Sequence, residues 1–317
     1  MYDWRSAGLL FNSLNYFYRQ HFGARVWKIS IDAGCGCPNR DGRLATSGCV
    51  FCDPASFSPS RRRALRPIRE QIRGGVAARR AQNKEARFIA YFQPGTNTYG
   101  ATDVLAAAYR EAVDHPDVVG LIIGTRPDCV SDEILDILQQ IAQRKWLLLE
   151  FGLQSIHDKT LRRIHRGHDY QAFLDAYGRS RARGLQLGVH VILGLPGETR
   201  DDMRATADAL AALEIHSVKP HNLYAVHGTQ LADEVKAGQV PLPGRDEYVS
   251  LLVDFLERLP ASTVIDRLCG DAPREYLLGP QWCLNKSAVR EAVDAEFRRR
   301  GTWQGAATGG GGQGLGR

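Results

Sequence analysis

Four cysteines lie close together near the start of the chain. The 317-residue sequence contains seven cysteines, and Cys35, Cys37, Cys49 and Cys52 fall within 18 residues of one another. The chain as a whole lacks the cysteine density of a small disulfide-stapled domain, so such a cluster is more typical of a metal site or a redox site. Three chemistries compete for it: a structural zinc site, a dithiol redox pair and an iron–sulfur cluster.

The spacing of the four cysteines ranks these chemistries. A single residue separates Cys35 from Cys37, which is tighter than the spacing that usually lets two sulfurs face one zinc ion. A redox pair of Cys49 and Cys52 would open a helix after a strand of a thioredoxin-like unit, and that context is absent. An iron–sulfur cluster is commonly held by thiolates from one loop. The spacing therefore favours a cluster over zinc, and buried thiols that bind nothing remain a third interpretation.

Six apolar runs provide the elements that would position this loop. Most of them are almost continuously apolar, as expected for parallel strands that are buried on both faces. The predicted strands are Val26–Ile31, Phe88–Phe92, Val118–Ile123, Trp146–Phe151, Leu187–Leu193 and Ser217–Leu223. Sequence segments rich in unusual residues follow the strands directly. In a parallel α/β barrel, catalytic residues lie at this carboxyl end of the strands.

Amphipathic segments alternate with the strands. Helices are predicted over Ala101–Val113, Ser131–Arg144, Asp158–Arg183 and Thr199–Leu213, flanked by helices at about Ser6–Gln20 and Asp246–Leu259 and by a possible edge strand, Ser262–Ile265. The repeated order of strand and helix predicts an α/β fold with a parallel barrel or an open parallel sheet.

The composition excludes several classes of protein. A hydrophobic content of 44%, a charged content of 24% and a net charge of +6 are typical of a globular chain and exclude a disordered or fibrous one. The longest apolar runs are shorter than the roughly 18 to 20 residues that a membrane span needs. The N-terminus lacks the pattern of a secretion signal. We therefore expect a cytoplasmic protein that does not enter the membrane.

Several longer motifs resemble one known family. They run from Cys37 to Cys52, Tyr91 to Tyr99, Gly124 to Val130, Glu150 to Ser155, His157 to Leu161, Arg166 to Asp169 and Gly194 to Glu198. Together they resemble the YhcC-like radical S-adenosylmethionine (SAM) proteins, distant relatives of the Elongator catalytic subunit and of oxygen-independent coproporphyrinogen oxidase. The resemblance extends over about residues 1–290.

This resemblance implies a fold and a chemistry. The fold is a partial (β/α)6 TIM-type barrel of the radical SAM superfamily with an N-terminal helix and a short C-terminal extension. The implied segments are 1–25 (helical), 26–235 (barrel), 236–305 (extension) and 306–317 (a flexible Gly-rich tail). Cys37, Cys49 and Cys52 would hold a 4Fe–4S cluster whose open iron binds SAM. One electron, from a donor such as flavodoxin or ferredoxin, then cleaves SAM to a 5′-deoxyadenosyl radical.

The resemblance also implies a SAM-binding shell. The positions that match it are Gly95 and Thr96 after the second strand, Gln154 and Arg166 around the fourth, and His190 and Gly194 on or after the fifth. A guanidinium can bind the SAM carboxylate, and an amide can bind ribose hydroxyls. Cys35 is predicted to be a packing thiol rather than a ligand. Cys129 follows the third strand, and Cys269 and Cys283 are expected to be buried thiols.

A basic segment follows the cysteine loop. Between Ser60 and Arg80 there are eight arginines and one acid, Glu70, a charge of +7 that exceeds the +6 of the whole chain. A basic strip beside a catalytic mouth suits an RNA-modifying enzyme, and the Elongator-like relatives imply wobble uridine of tRNA as the target. The predicted tRNA contacts are Arg61, Arg62, Arg63, Arg66, Arg69 and Arg73. Two alternatives stay open: a radical SAM enzyme that acts on a small metabolite, and a non-catalytic zinc-binding or RNA-binding protein.

Overall fold

The apolar runs pair as parallel strands. In the computed structural model, which describes residues 3–57 and 64–308, the strands are Val26–Ile31 (β1), Arg87–Phe92 (β2), Val118–Thr125 (β3), Trp146–Gln154 (β4), Gln186–Leu193 (β5), Ser217–Asn222 (β6), Ala225–Val226 (β7), Val264–Ile265 (β8) and Leu277–Gly279 (β9). Seven of them form one sheet in the order β1-β2-β3-β4-β5-β6-β8, and every neighbouring pair is parallel. β7 and β9 form a small antiparallel pair.

Helices connect the strands. They are Leu14–Phe22 (α1), Pro54–Phe57 (α2), Ile68–Arg80 (α3), Thr102–Val113 (α4), Asp132–Ala142 (α5), Asp158–Arg163 (α6), Tyr170–Ala182 (α7), Arg200–Ala211 (α8), Gln230–Lys236 (α9), Arg245–Arg258 (α10) and Lys286–Arg300 (α11). Local sequence sets several of their ends. The Ser131 side chain accepts a hydrogen bond from the Ile134 amide at the start of α5, and Thr199 and Asp202 form a capping box at the start of α8. Such caps satisfy backbone N–H groups that have no partner within the helix.

The sheet curls into a partial barrel, which confirms the predicted fold class. All six predicted strands are present, and the predicted edge strand adds a seventh parallel strand next to β6. The two edge strands of the sheet, β1 and β8, are joined by an ion pair. The Lys28 Nζ lies 2.7 and 2.8 Å from the two carboxylate oxygens of Asp266, which directly follows β8. Side-chain charges thus bridge the gap where backbone pairing ends.

One predicted helix is wrong. The segment Asp158–Arg183 is not a single helix, because the backbone turns left-handed at His165 (φ 53°) and at Gly167 (φ 76°). The chain re-enters a helix when the Asp169 side chain accepts a hydrogen bond from the Ala172 amide. The N-terminal helix is also shorter at its start than predicted, because Ser13 caps it and it begins only at Leu14.

Helix α1 covers the end of the barrel where the strands begin. The Phe17 ring of this helix lies 6.2 Å from the ring of Trp146, the first residue of β4, and 4.9 Å from that of His216, which precedes β6. Tyr18 and Phe22 pack edge-on against the same Trp146 ring. Aromatic pairs at these distances and angles are favourable. Aromatic packing therefore fills this end of the barrel.

The C-terminal residues that the structure describes pack onto the barrel. The Gln304 side chain is fully buried and donates to the backbone carbonyls of Pro260 and Thr263. Most of the predicted Gly-rich tail lies outside the described residues, and the proposed segment boundaries stay predictions. Among the helices of residues 3–57 and 64–308, none combines the length and apolar character that a membrane span needs.

Candidate active site

A cavity of about 510 Å³ opens at the carboxyl ends of the strands, where barrel enzymes place their chemistry. Most of the residues singled out by sequence line it: Cys37, Cys49, Cys52, Gly95, Thr96, Gln154, Arg166 and His190. Gly194 does not line this cavity. A Cβ at this position would face Pro243 and Leu223, and the Gly194 amide lies 3.2 Å from the Met203 sulfur. Eight of the nine predicted ligand positions thus share one cavity.

Short turns shape the loop that carries the three cysteines. The Arg40 amide donates to the Cys37 carbonyl at 2.8 Å, and the Cys52 amide donates to the Cys49 carbonyl at 2.9 Å. Gly48, just before Cys49, has a φ of 79°, and a Cβ there would lie 2.7 Å from the Arg40 guanidinium. Only glycine adopts this conformation without strain. The loop geometry therefore follows from the residues around the cysteines.

Polar donors point at the Cys49 sulfur. The Asn39 amide lies 3.5 Å from this sulfur and also donates to the carbonyls of His165 and Arg166. The Arg166 Nη1 lies 3.6 Å from the same sulfur, while its Nε donates to the Gly152 carbonyl at 3.1 Å. Two polar donors from different parts of the chain therefore converge on the Cys49 sulfur.

The other two thiols lie in different electrostatic surroundings. Burial, reinforced by the nearby Cys49, raises the pKa of the Cys52 thiol to about 12, and Arg40 opposes this rise. Arg126, held by an ion pair of 2.8 Å with Asp128, is the second buried cation beside this loop. Its charge interacts with those of Cys37 and Cys49. Two buried guanidinium groups, those of Arg126 and Arg166, therefore lie beside the cysteine loop.

The donor set fits an iron–sulfur cluster, because three thiols line one cavity. Cys35 packs in the main hydrophobic core, where burial and, after it, the nearby Cys35 raise the pKa of Tyr109. Soft thiolates are the ligands that iron–sulfur clusters use. The assignment of Cys37, Cys49 and Cys52 as ligands stays a prediction.

The end of β4 is shaped for close approach to a bound molecule. Its register shifts between Gly152 and Gln154, and Gln154 has a φ of 80°. A side chain at Gly152 would lie 2.8 Å from the Arg166 guanidinium and 2.9 Å from the Gln154 amide. A left-handed residue other than glycine costs free energy and often marks a functional site. This bulge places the Gln154 amide in the cavity wall.

A layer of charged side chains lies deeper in the barrel. Its centre is Glu150 of β4, whose Oε2 accepts from the Tyr91 hydroxyl at 2.8 Å and lies 2.7 Å from the His190 Nε2. Lys219 of β6 lies 3.4 Å from the same oxygen and 3.2 Å from Asp266. Buried charges are tolerated when they are paired in this way.

The layer sets the protonation of its members. Burial alone would raise the pKa of Glu150, but Lys219, Lys28 and His190 outweigh it and hold that pKa well below its ordinary value. Burial lowers the pKa of His190, and Lys219 lowers it further. At neutral pH, Glu150 is therefore charged and His190 is neutral. His190 reaches the cavity as an imidazole anchored by a carboxylate.

Sequence reasoning missed most of this layer. Lys28 interrupts the apolar sequence of β1, and Lys219 lies in the largely buried strand β6. A lysine at such a position is a signal of a paired interior charge. Glu150 begins one of the motifs that resemble the radical SAM family, but the motif does not reveal which charges surround it. Their pairing could not be read from the sequence, because it depends on which strands face one another across the barrel.

Comparisons with known proteins agree with this geometry. Residues 34–210 match the family described as the Radical SAM superfamily, and residues 215–299 match the Radical_SAM C-terminal domain. The chain is 36% identical to YtqA of Bacillus subtilis over 93% of this chain and 92% of that protein. It is 35% identical to YhcC of Escherichia coli, over 92% of this chain and 93% of that protein.

One solved structure extends the comparison to the fold. The archaeal Methanocaldococcus infernus Elp3, solved with an N-terminal deletion, superimposes with a TM-score of 0.66. The likeness covers 89% of this chain and 64% of that one at 17% sequence identity, so it concerns the fold alone.

Proposed function

The chain belongs to the radical SAM superfamily, whose enzymes use a 4Fe–4S cluster and SAM, and we propose that it modifies a uridine of tRNA by radical chemistry. The observation that carries this proposal is the placement of Cys37, Cys49 and Cys52 on the wall of the cavity that also contains Gln154 and Arg166. When bound, the cluster and SAM would supply a 5′-deoxyadenosyl radical that abstracts a hydrogen atom from the substrate.

The protein's own residues would bind the cluster and SAM, orient them and shield them. Cys37, Cys49 and Cys52 would hold the cluster, with Asn39 and Arg166 fixing the Cys49 sulfur through their donors. Gln154 would bind the SAM ribose. His190 would offer a neutral imidazole to the nucleotide, since its other contact is the charged Glu150. Side chains that contact a ligand from behind in this way orient it and tune its basicity.

Helix α3 supports tRNA as the substrate. Ile68, Ile72 and Val76 form its buried face, so its arginines project outward. The Gln71 side chain exchanges two hydrogen bonds of 2.8 Å with the backbone of Asp32, which follows β1 and precedes the cysteine loop. These hydrogen bonds tie the first turns of the basic helix to the edge of the cavity.

The predicted tRNA contacts divide between the described and undescribed parts of the chain. Arg66 precedes α3, Arg69 and Arg73 lie in its first two turns, and all three are exposed, while Arg61, Arg62 and Arg63 lie outside the described residues. The Elongator-like resemblance adds the expectation that wobble uridine is the target. An exposed row of arginines beside a cavity suits a phosphate backbone that passes over the mouth.

Comparing the modified nucleosides of tRNA from cells with and without the gene tests this proposal. We expect one modified uridine to disappear and its precursor to accumulate, and the wild-type gene to restore the original pattern. An unchanged set of tRNA nucleosides, together with SAM cleavage that responds to a metabolite extract but not to tRNA, would favour a small-molecule substrate instead.

Binding of purified protein to bulk tRNA gives a second readout. Replacing Arg66, Arg69 and Arg73 by Gln should weaken binding and reduce the slope of log K against log salt by roughly 0.7 to 0.9 for each phosphate that is no longer neutralised. The matched control replaces three other exposed arginines by Gln. The control residues are Arg110, Arg144 and Arg181. They lie at or just beyond the C-terminal ends of α4, α5 and α7, close to where the next strands begin and therefore away from the cavity. Equal salt slopes for the two triple variants would contradict a tRNA site on α3.

A further inference from the structure

Arg267 is a cation of the cavity that has no anionic partner among the described residues. Lys28 and Lys219 are balanced by Glu150 and Asp266 through ion pairs of 2.7 to 3.9 Å. Arg267 directly follows Asp266, is half-buried and lines the cavity. Among the residues that the structure describes, Arg267 forms no ion pair. A partly desolvated guanidinium without a counter-charge is a ready receptor for an anion.

The two acids that line the cavity, Glu150 and Asp271, have other cationic partners. Asp271 is already paired with Lys286 of α11 at 3.0 Å. The positive charge of Arg267 also acts on its neighbours in the cavity wall, Lys219, His221 and Tyr224. This end of the cavity therefore carries an excess of positive charge.

His221 supplies a second, independent observation. Its Nε2 is buried and has no hydrogen-bond partner within the described ranges, although the side chain lines the cavity. A side chain added at Gly270 would lie 2.7 Å from the His221 Nδ1 and 3.0 Å from the Tyr224 ring. The Gly270 backbone thus packs closely on both rings and limits their movement. A buried polar atom without a hydrogen-bond partner is uncommon and calls for an explanation, which a polar ligand in the cavity would supply.

The predicted SAM positions lie on or after β2, β4 and β5, and Arg267 lies beyond them in the sheet, after β8. His221 of β6 lies between the two, because its ring stacks on that of His190 with 5.5 Å between the ring centres. Substrate is expected on the wall opposite the cofactor, because the reacting groups must meet between them. The unbalanced guanidinium is therefore placed to contact substrate.

We propose that Arg267, together with His221, binds an oxyanion of the substrate inside the cavity. This inference rests on the proposed function and narrows it: the reacting uridine brings a negative group close to the point of reaction. Two sources share this chemistry, a carboxylate carried on the base and a phosphate of the RNA chain. Arg267 would bind either through two parallel N–H donors, and the imidazole would add one hydrogen bond.

Calorimetric titration of the cluster-loaded protein with SAM present tests the proposal. The probes are uridine, 5-carboxyuridine, uridine 5′-monophosphate and, as an anion without a nucleoside, succinate. We expect an anionic uridine to bind at least roughly tenfold more tightly than uridine itself. Preference for 5-carboxyuridine would identify a carboxylate on the base, and preference for the monophosphate would identify a backbone phosphate.

Two variants connect this preference to the residue. Arg267→Met should abolish the difference between anionic and neutral uridines, and Arg267→Lys should keep part of it, because the charge remains while the two-donor geometry does not. The control Arg245→Met removes an exposed arginine that is paired with Asp246 and should leave the preference unchanged. Thermal unfolding of each variant verifies that it is folded.

The outcomes separate this inference from the proposed function. Equal affinity for anionic and neutral uridines in the wild-type protein would overturn the role of Arg267 and leave tRNA as the substrate. Succinate binding that depends on Arg267, without any binding of the uridines, would support the anion site and contradict a nucleoside substrate.

Discussion

The cysteines of the site differ in their surroundings far more than in their sequence positions. Cys35 and Cys37 are separated by one residue, yet Cys35 packs beside Tyr109 in the core while Cys37 lines the cavity. Cys49 receives donors from Asn39 and Arg166. These different surroundings agree with the prediction that Cys35 is a packing thiol and that Cys49 is a cluster ligand.

Alanine substitutions separate the ligands from the packing residue. Cys35→Ala should retain the cluster after anaerobic reconstitution, because its sulfur fills core volume, and should cost about 1 kcal/mol of stability through poorer packing. Cys37→Ala, Cys49→Ala and Cys52→Ala should each abolish cluster binding. Iron and sulfide content, together with the visible absorbance of the cluster, measure the result. A Cys35→Ala protein without iron would contradict the ligand assignment.

A short break between two helices positions much of the site. The left-handed turn at His165 and Gly167 lets the carbonyls of His165 and Arg166 accept from Asn39, and it directs Arg166 toward Cys49. A continuous helix over these residues would carry Arg166 away from the cysteine loop. The break is therefore a functional feature of the fold.

Substituting Gly167 tests this element. In Gly167→Ala, the left-handed backbone costs roughly 1 to 2 kcal/mol, and the new Cβ would overlap the Asn39 side chain. We expect lower stability and weaker retention of iron. Gly178→Ala is the control, because Gly178 lies inside α7 with open space around it, and alanine there should stabilise the helix by up to about 1 kcal/mol. Chemical denaturation with iron analysis compares the two, and equal effects would contradict a special role for Gly167.

The same break shows where prediction from sequence fails. Residues 158–183 form one amphipathic pattern, and Gly167 and Asp169 are the only local signs of an interruption. The left-handed turn at His165 has no such sign, because it is stabilised by a hydrogen bond from Asn39, 126 residues away in the sequence. The strands were predictable because their apolar character is local. The charged layer around Glu150 was not, since it depends on contacts between distant strands.

Across the whole molecule, a few buried ion pairs link strands that backbone hydrogen bonds do not join. The two edge strands are linked through Lys28 and Asp266, and Lys219 and Glu150 extend this pairing across the interior. Salt bridges that are buried and shared in this way are costly to break, because the remaining charge loses its partner. The barrel thus depends on side-chain charge for part of its closure.

Lys28→Met measures this dependence. We expect a decrease of about 2 kcal/mol in the free energy of unfolding, because Asp266 keeps only Lys219 as a cationic partner. Lys84→Met is the control: Lys84 is an exposed lysine, and its substitution should change stability by no more than about 0.5 kcal/mol. Denaturant titration compares the two proteins. Equal decreases would show that the ion pair does not contribute to closure.

The aromatic packing of α1 at the end of the barrel where the strands begin has a consequence for the order in which ligands would bind and leave. Phe17, Tyr18 and Trp146 fill the end where the strands begin. Ligands would therefore enter the cavity from its other end, at the carboxyl ends of the strands. An RNA bound over that opening would block the entry and exit of small molecules. SAM would therefore load before the RNA docks, and its fragments would leave only after the RNA has gone.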